Sequence, residues 1–380
     1  MGPRPHGSRL GCEHIVNEEA SLNDPERVKL LAYYLPQYHP IPENNEWWGA
    51  GFTEWTKVTA AKPLYRNHWQ PRLPADLGFY DLRLRDTRIS QAAMAKDAGV
   101  DGFVYWHYWF GEGRRILERP IQEVLKDQEP NFPFALGWAN ESWSRRWYGD
   151  NRSILIEQKY PGRQDFEHHF QAILPALRDP RYIRINGKPL FLIYRPQDLP
   201  SREEFVDVWQ RMAISAGFDG LYLIHGSDED PRPFGFDASY SQPSLLPKRV
   251  IARRLRSLGV AGLRRTLDRG GPLRLPYSEV MEEFNRKAPV EWTELRAVMP
   301  NWDNTPRRDR GGIVLTGSSP SAFRAQLTIG LERARNLPSG EKILFLKSWN
   351  EWAEGNYVEP DQKYGHAWLD AISEARTRAG

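Results

Sequence analysis

Two glutamates three residues apart, Glu351 and Glu354, lie inside the stretch Lys347-Ser348-Trp349-Asn350-Glu351-Trp352-Ala353-Glu354-Gly355. Making or breaking a glycosidic bond calls for such a pair. One carboxyl protonates the leaving oxygen and the other acts as base or nucleophile. The indoles beside them offer flat apolar faces of the kind that stack on sugar rings. The same letters also suit a purely structural role, because Ser348-x-x-Glu351 matches a capping box that opens a helix. A rival acid is Glu141, in Asn140-Glu141; paired with Glu351 it would suit a covalent glycosyl-enzyme route.

Other residues with suitable chemistry accompany these carboxyls. Tyr34, Trp106, Trp138, Tyr194 and Trp302 are candidates for stacking or hydroxyl contact, and Gln37, Asn140, Asn301 and Asn350 for hydrogen bonds to sugar hydroxyls. His107 and His225 are candidates to touch a sugar or orient a glutamate, with satisfied structural histidines as the competing reading. Asp228-Glu229-Asp230 spells an acidic signature of many glycosyltransferases, although a solvated loop explains it as well. No G-x-G-x-x-G or H-E-x-x-H pattern occurs, so neither a nucleotide nor a metal cofactor is expected.

The elements that must position these side chains follow from hydrophobic patterning. Short apolar runs read as strands at Val28–Tyr34, Gly102–Tyr105, Phe134–Trp138, Pro189–Tyr194, Leu221–Ile224, Ala238–Tyr240, Ala297–Met299 and Ile343–Lys347. Segments with helical spacing separate most of them: Asp86–Ala98, Ile116–Lys126, Phe166–Leu177, Phe205–Ala216 and Ala322–Asn336, with Tyr364–Arg376 last. Alternating strands and helices predict an α/β protein, a (β/α)8 TIM-type barrel with long βα loops. In that fold catalytic side chains gather at the strand C-termini. Here nearly every expected strand end carries an aromatic residue, His, Asn or Glu.

Composition narrows the choices. Of the 380 residues 15 are Trp, 16 Tyr and 16 Phe, an aromatic excess that suits a carbohydrate cleft. A net charge of +3 does not call for nucleic acid as a partner. The single cysteine, Cys12, excludes an internal disulfide. No apolar run approaches the roughly 20 residues of a membrane span. Residues 1–26 read as a disordered lead-in without an apolar signal core, which points to the cytoplasm. Residues 27–380 read as one domain, interrupted by an arginine-rich insertion at about 245–290. Within it, Lys248–Arg274 has the spacing of a basic amphipathic helix. Arg249–Arg274 could contact an anionic glycan, a membrane surface or a partner protein, or lie solvated on the barrel.

Several stretches together resemble the glycoside hydrolase family 99-like, WbsX-type proteins associated with bacterial polysaccharide gene clusters. They are Ala32-Tyr33-Tyr34-Leu35-Pro36-Gln37-Tyr38-His39-Pro40, Gly51-Phe52-Thr53-Glu54-Trp55, Gly102-Phe103-Val104-Tyr105-Trp106-His107-Tyr108-Trp109, Trp138-Ala139-Asn140-Glu141, Met299-Pro300-Asn301-Trp302-Asp303-Asn304, and the Glu351/Glu354 stretch. The resemblance implies a barrel related to endo-α-mannosidases, acting on an α-linked mannose- or rhamnose-type glycan. It also implies roles: Glu351 as general base toward the sugar 2-OH and Glu354 as general acid/base, in a retaining route through a 1,2-anhydro sugar. Family 99 endomannosidases usually carry His after the second Trp, where this chain has Ala353, so an equivalent substrate is not implied. A glycosyltransferase of polysaccharide assembly and a non-catalytic glycan-binding barrel are the alternative functions.

Overall fold

The apolar runs form eight parallel strands: β1 (Lys29–Tyr34), β2 (Gly102–Trp109), β3 (Phe134–Trp138), β4 (Lys188–Ile193), β5 (Tyr222–His225), β6 (Ala238–Ser241), β7 (Glu294–Val298) and β8 (Ile343–Leu346). The structure, a computed structural model, describes residues 24–144, 153–253, 256 and 271–379. Each strand pairs with the next, and β1 pairs with both β2 and β8, through Leu31↔Gly102 and Lys29↔Ile343. The sheet therefore closes into the expected (β/α)8 barrel. Its strands are buried on both faces, as helices outside and side chains inside require.

The helices include α1 (Pro42–Trp48), α2 (Glu54–Ala60), α3 (Arg85–Ala98), α4 (Arg119–Asp127), α5 (Arg163–Arg178), α6 (Arg202–Ser215), α7 (Tyr277–Asn285), α8 (Thr305–Arg308), α9 (Pro320–Arg335) and α10 (Ala367–Ala379). Small residues let α3 lie close on the barrel: Ala92, Ala95 and Ala98 are buried, and Gly99 ends the helix at φ 88°. Ser201 and Ser319 cap α6 and α9 by accepting from the amides of Glu204 and Ala322. Between β5 and β6 a 3-10 turn, Arg232–Phe234, replaces the helix.

An aromatic layer fills the bore. Tyr33 of β1 stacks on Trp106 of β2 at 4.6 Å and on Phe345 of β8 at 5.3 Å, and meets Tyr240 of β6 edge-on at 5.7 Å. β1 and β6 are not neighbours, so the last contact crosses the barrel interior. Gly137 of β3 makes room for this layer, since a Cβ there would come within 3.3 Å of the Trp106 ring.

Some expected boundaries move. Arg115–Ile116 pairs antiparallel with Tyr108–Trp109, so the helix expected from Ile116 starts only at Arg119. The seventh strand begins at Glu294, ahead of the expected Ala297. The insertion is not one helix. Residues 248–253 are helical, but Leu273–Pro276 is a strand pairing parallel with Ile313–Thr316. Arg249 and Arg253 lie 3.6 and 3.4 Å from Glu283 and Glu279 of α7, and the Arg274 guanidinium sits 4.7 Å above the Tyr65 ring. These arginines thus have partners within the chain. Arg254, Arg264, Arg265, Arg269, Cys12 and the first 23 residues of the expected lead-in lie outside the described residues. Among the described residues no helix is long and apolar enough to cross a membrane.

Candidate active site

At the C-terminal end of β8 the chain turns back on itself instead of entering a helix. Ser348 Oγ accepts from the amides of Asn350 and Glu351 at 3.2 and 3.0 Å, as a cap would. Asn350–Glu351 then pairs antiparallel with Asn356–Tyr357 across the 3-10 turn Trp352–Glu354. Gly355 closes that turn at φ 58°, where a Cβ would meet the Arg72 guanidinium at 2.9 Å and Asp303 Cβ at 3.0 Å. The helical turn that the capping box suggested is therefore a hairpin.

Buried polar contacts hold the hairpin rigidly. Glu359 accepts from Trp349 Nε1 (2.8 Å), Trp352 Nε1 (2.6 Å), Gln91 Nε2 (2.6 Å) and the Tyr80 hydroxyl (2.8 Å). Burial pushes this carboxyl up to about 7 against the pull of those four donors. Asn350 ties the hairpin to the β1 loop, accepting from the Leu35 amide at 2.8 Å and donating to its carbonyl at 3.1 Å. The Tyr38 hydroxyl donates to the Asn350 carbonyl and accepts from the Trp352 amide.

Both candidate catalytic carboxyls meet at one guanidinium. Arg307 of α8 donates from Nη1 to Glu354 Oε1 at 2.6 Å and from Nη2 to Glu351 Oε2 at 3.1 Å. Its Nε and Nη2 both donate to Oε1 of Glu54, the first residue of α2. Side-chain exposure is 6 % for Arg307, 13 % for Glu351, 20 % for Glu354 and 1 % for Glu54, so these charges interact with little screening by water. Burial pushes Glu351 up to about 8; Arg307 opposes the rise, while Glu354 and Glu54 add to it. Burial also raises Glu54, again against Arg307. Lys347, at the end of β8, donates to Gln242 Oε1, and burial lowers its ammonium in spite of Glu354, Glu351 and Glu141.

The structure places the expected site residues unevenly. Trp106, above Tyr33, and Tyr194, just past β4, are half-buried, their rings edge-on at 5.4 Å. Glu141 is half-exposed at the rim, 3.7 Å from Arg195. Gln37 is buried, and its carbonyl accepts from the Glu54 amide. Others point elsewhere because neighbours along a strand face opposite ways. Tyr34, next to Tyr33, donates to Gln91 on α3 at 2.6 Å. His107, next to Trp106, meets His169 of α5 at 2.8 Å, and burial takes it down to about 3. Trp138 donates to the Trp109 carbonyl. His225 lies against Arg202 and Ser227, with burial taking it to about 4. Asn140 bridges the amide and carbonyl of Arg195, Asn301 accepts from Ser318, and Trp302 belongs to the small core under the insertion. Asn140 and Asn350 thus tie loops together through these contacts, whereas the Trp302 indole N–H is buried without a partner among the described residues.

Sequence reasoning did not assign roles to Glu54, Arg307, Lys347 or Gln242. Glu54 stands in the quoted Gly51–Trp55 motif and Lys347 in the Lys347–Gly355 stretch, but nothing local marks Arg307. Asp228, Glu229 and Asp230 pair separately with Lys287, Arg202 and Arg232 at 3.1, 2.8 and 2.8 Å. Among the described residues no group of three or more His, Cys, Asp or Glu side chains is arranged to hold a metal ion.

The family model described as glycosyltransferase WbsX matches residues 30–372. The chain belongs to the WbsX family. This WbsX-family chain is 38 % identical over 384 residues to "Uncharacterized protein WxcX" of Xanthomonas campestris pv. campestris, covering 99 % of itself and 54 % of that protein. WxcX from a second strain of that organism matches at 37 %. The chain thus spans about half the length of the curated relatives it matches. Among solved structures, a "Glycoside hydrolase-like protein" aligns with TM-score 0.57 and 14 % identity, covering 98 % of this chain and 96 % of that one. A GH99 endo-alpha-mannosidase from Bacteroides thetaiotaomicron aligns with TM-score 0.53 and 14 % identity, covering 92 % and 97 %. At such identities the likeness is one of fold.

Proposed function

We propose that this protein is a retaining glycoside hydrolase that cleaves an α-linked mannose- or rhamnose-type glycan of bacterial surface polysaccharide metabolism. The reading rests above all on one arrangement: Glu351 and Glu354 share the buried Arg307 at the C-terminal end of the barrel, with Tyr194 facing Glu354. Two carboxyls on one guanidinium stand close together, as retaining chemistry requires. Glu351 is the base toward the sugar 2-OH, which attacks its own anomeric carbon to give a 1,2-anhydro sugar. Glu354 protonates the leaving oxygen and then deprotonates the water that opens the anhydro ring. The resemblance of the Glu351/Glu354 stretch to the family 99 motif implies the same roles, on a fold shared with a GH99 endo-alpha-mannosidase structure.

Glu141 is the competing acid. Its half-exposed carboxylate beside Arg195 suits a rim contact with sugar better than a buried acid held protonated. The test is to make Glu351→Gln, Glu354→Gln and Glu141→Gln separately and assay them on a panel of α-mannosides and α-rhamnosides. The first two lose about 10²–10⁴-fold in kcat, and Glu141→Gln loses far less. If Glu141 alone proves indispensable, the assignment is wrong. If turnover appears only with a nucleotide-sugar donor, the transferase reading replaces it.

A further inference from the structure

Three carboxyls converge on Arg307, and the proposed chemistry uses two of them. The third, Glu54, takes the largest share of the guanidinium: Nε and Nη2 both donate to its Oε1, whereas Glu351 and Glu354 receive one bond each. Its other oxygen, Oε2, is buried with no hydrogen-bond partner. A carboxylate so enclosed stays ionised only beside a cation, and Arg307 is the cation in contact.

We infer that Glu54 is a positioning residue for the proposed reaction: it absorbs the charge of Arg307, so that Glu351 and Glu354 share one proton instead of both ionising. The inference rests on the reading of Glu351 and Glu354 as the catalytic pair. An unshared guanidinium between two carboxyls would favour the ionised form of both, leaving no proton for the leaving group. With Glu54 in place the positive charge is largely spent, and the remaining pair behaves as two like charges that cannot both ionise cheaply.

The surroundings match this division. Glu351 faces Arg307, Glu354, Glu54 and Lys347, together with the hydroxyls of Tyr38 and Tyr108. Glu54 faces Arg307, Glu354 and Lys57 and the same two tyrosines. Glu354 faces Arg307, Lys347, Glu351, Glu54 and Tyr194. Lys347 donates to Gln242 and adds its charge to the field at Glu351 and Glu354, while Arg307 is the cation that touches all three carboxyls. The competing account is mechanical: the Glu54–Arg307 pair merely clips α2 to α8.

Opposite charges separate the two accounts. Glu54→Gln, Glu54→Asp, Arg307→Gln and the double variant Glu54→Gln/Arg307→Gln are prepared in the full chain and checked for folding by circular dichroism. The pH profile of kcat/KM is measured on whichever α-glycoside the wild type cleaves. Independently of turnover, the carboxyl bands of ¹³C-glutamate-labelled protein are titrated by infrared spectroscopy. In Glu54→Gln the alkaline limb and the matching carboxyl titration move down by about one pH unit or more, the size expected when a neighbouring carboxylate that competes for the same Arg is removed. In Arg307→Gln they move up, the double variant lies between, and Glu54→Asp, which keeps the charge, stays near wild type. Limbs and bands that stay in place while activity or melting temperature falls would overturn the inference, as would shifts in the same direction. Should the wild type cleave no glycoside, the infrared titration still decides this question, and only the catalytic reading fails.

Discussion

Two buried charge clusters flank the same hairpin, and they are built in opposite proportions. Around Asp303 one carboxylate faces an excess of donors: His68 Nε2 at 2.8 Å, Gln70 Nε2 at 2.9 Å, Arg72 Nη2 at 3.3 Å, and the Thr305 hydroxyl and amide at 2.6 and 3.2 Å. Around Arg307 one guanidinium faces an excess of carboxyls. Burial alone would raise Asp303, but its donors take it down to about 2, while burial and like charge take Glu351 up to about 8. The same residue types therefore make a fixed anion in one place and a proton store in the other. The clusters are joined directly, since the Asp303 amide donates to the Glu354 carbonyl at 2.6 Å. One holds the backbone so that the other can keep its charges unsatisfied.

Removing the fixed anion costs stability at neutral pH. Asp303→Asn lowers the free energy of unfolding at pH 7 by about 2–3 kcal/mol, the scale set by a shift of this size in a fully buried carboxylate. The sign follows from the direction: a depressed carboxyl stabilises above its unfolded value near 3.8 and loses that contribution as pH falls through about 2. Denaturant unfolding from pH 7 to pH 2 therefore shows the gap between wild type and variant closing only at the acid end. A gap that stays constant would mean that shape, not charge, makes Asp303 valuable.

The proton store behaves the other way. A raised carboxyl contributes fully below its unfolded value and loses the contribution as pH rises through about 8. Glu351→Gln, although inactive, is therefore more stable than wild type at pH 9, and the advantage shrinks toward pH 5. Melting temperatures across that range check it. A variant less stable than wild type at every pH would place Glu351 among the structural contacts and erase the contrast with Asp303.

The sequence carried the frame well and the site partly. Eight apolar runs sufficed for the barrel because strands covered on both faces are apolar throughout. Adjacent letters were harder to separate. Trp106 and His107, or Tyr33 and Tyr34, differ only in which face of the strand they occupy, and a doubly buried strand offers no polar alternation to tell them apart. Asn140, Asn301 and Asn350 stand at strand ends as sugar-binding amides would, but Asn140 and Asn350 use donor and acceptor to tie loops together and Asn301 accepts from Ser318 and the Trp302 amide. The capping-box letters at Ser348 were correct about the hydrogen bond and silent about Gly355, which turns the chain into a hairpin. Glu54 and Arg307 are 253 positions apart, and only barrel closure brings the β1 loop beside the β7 loop.

The central claim is that Glu351 and Glu354, sharing Arg307, cleave an α-linked manno-configured sugar with retention. The most direct measurement is ¹H NMR of the anomeric signal released in the first turnovers from an α-mannoside or α-rhamnoside, before mutarotation. The account predicts that the α-anomer appears first with wild-type protein and that no product forms with Glu351→Gln. A β-anomer appearing first, or unchanged release by Glu351→Gln, would contradict it.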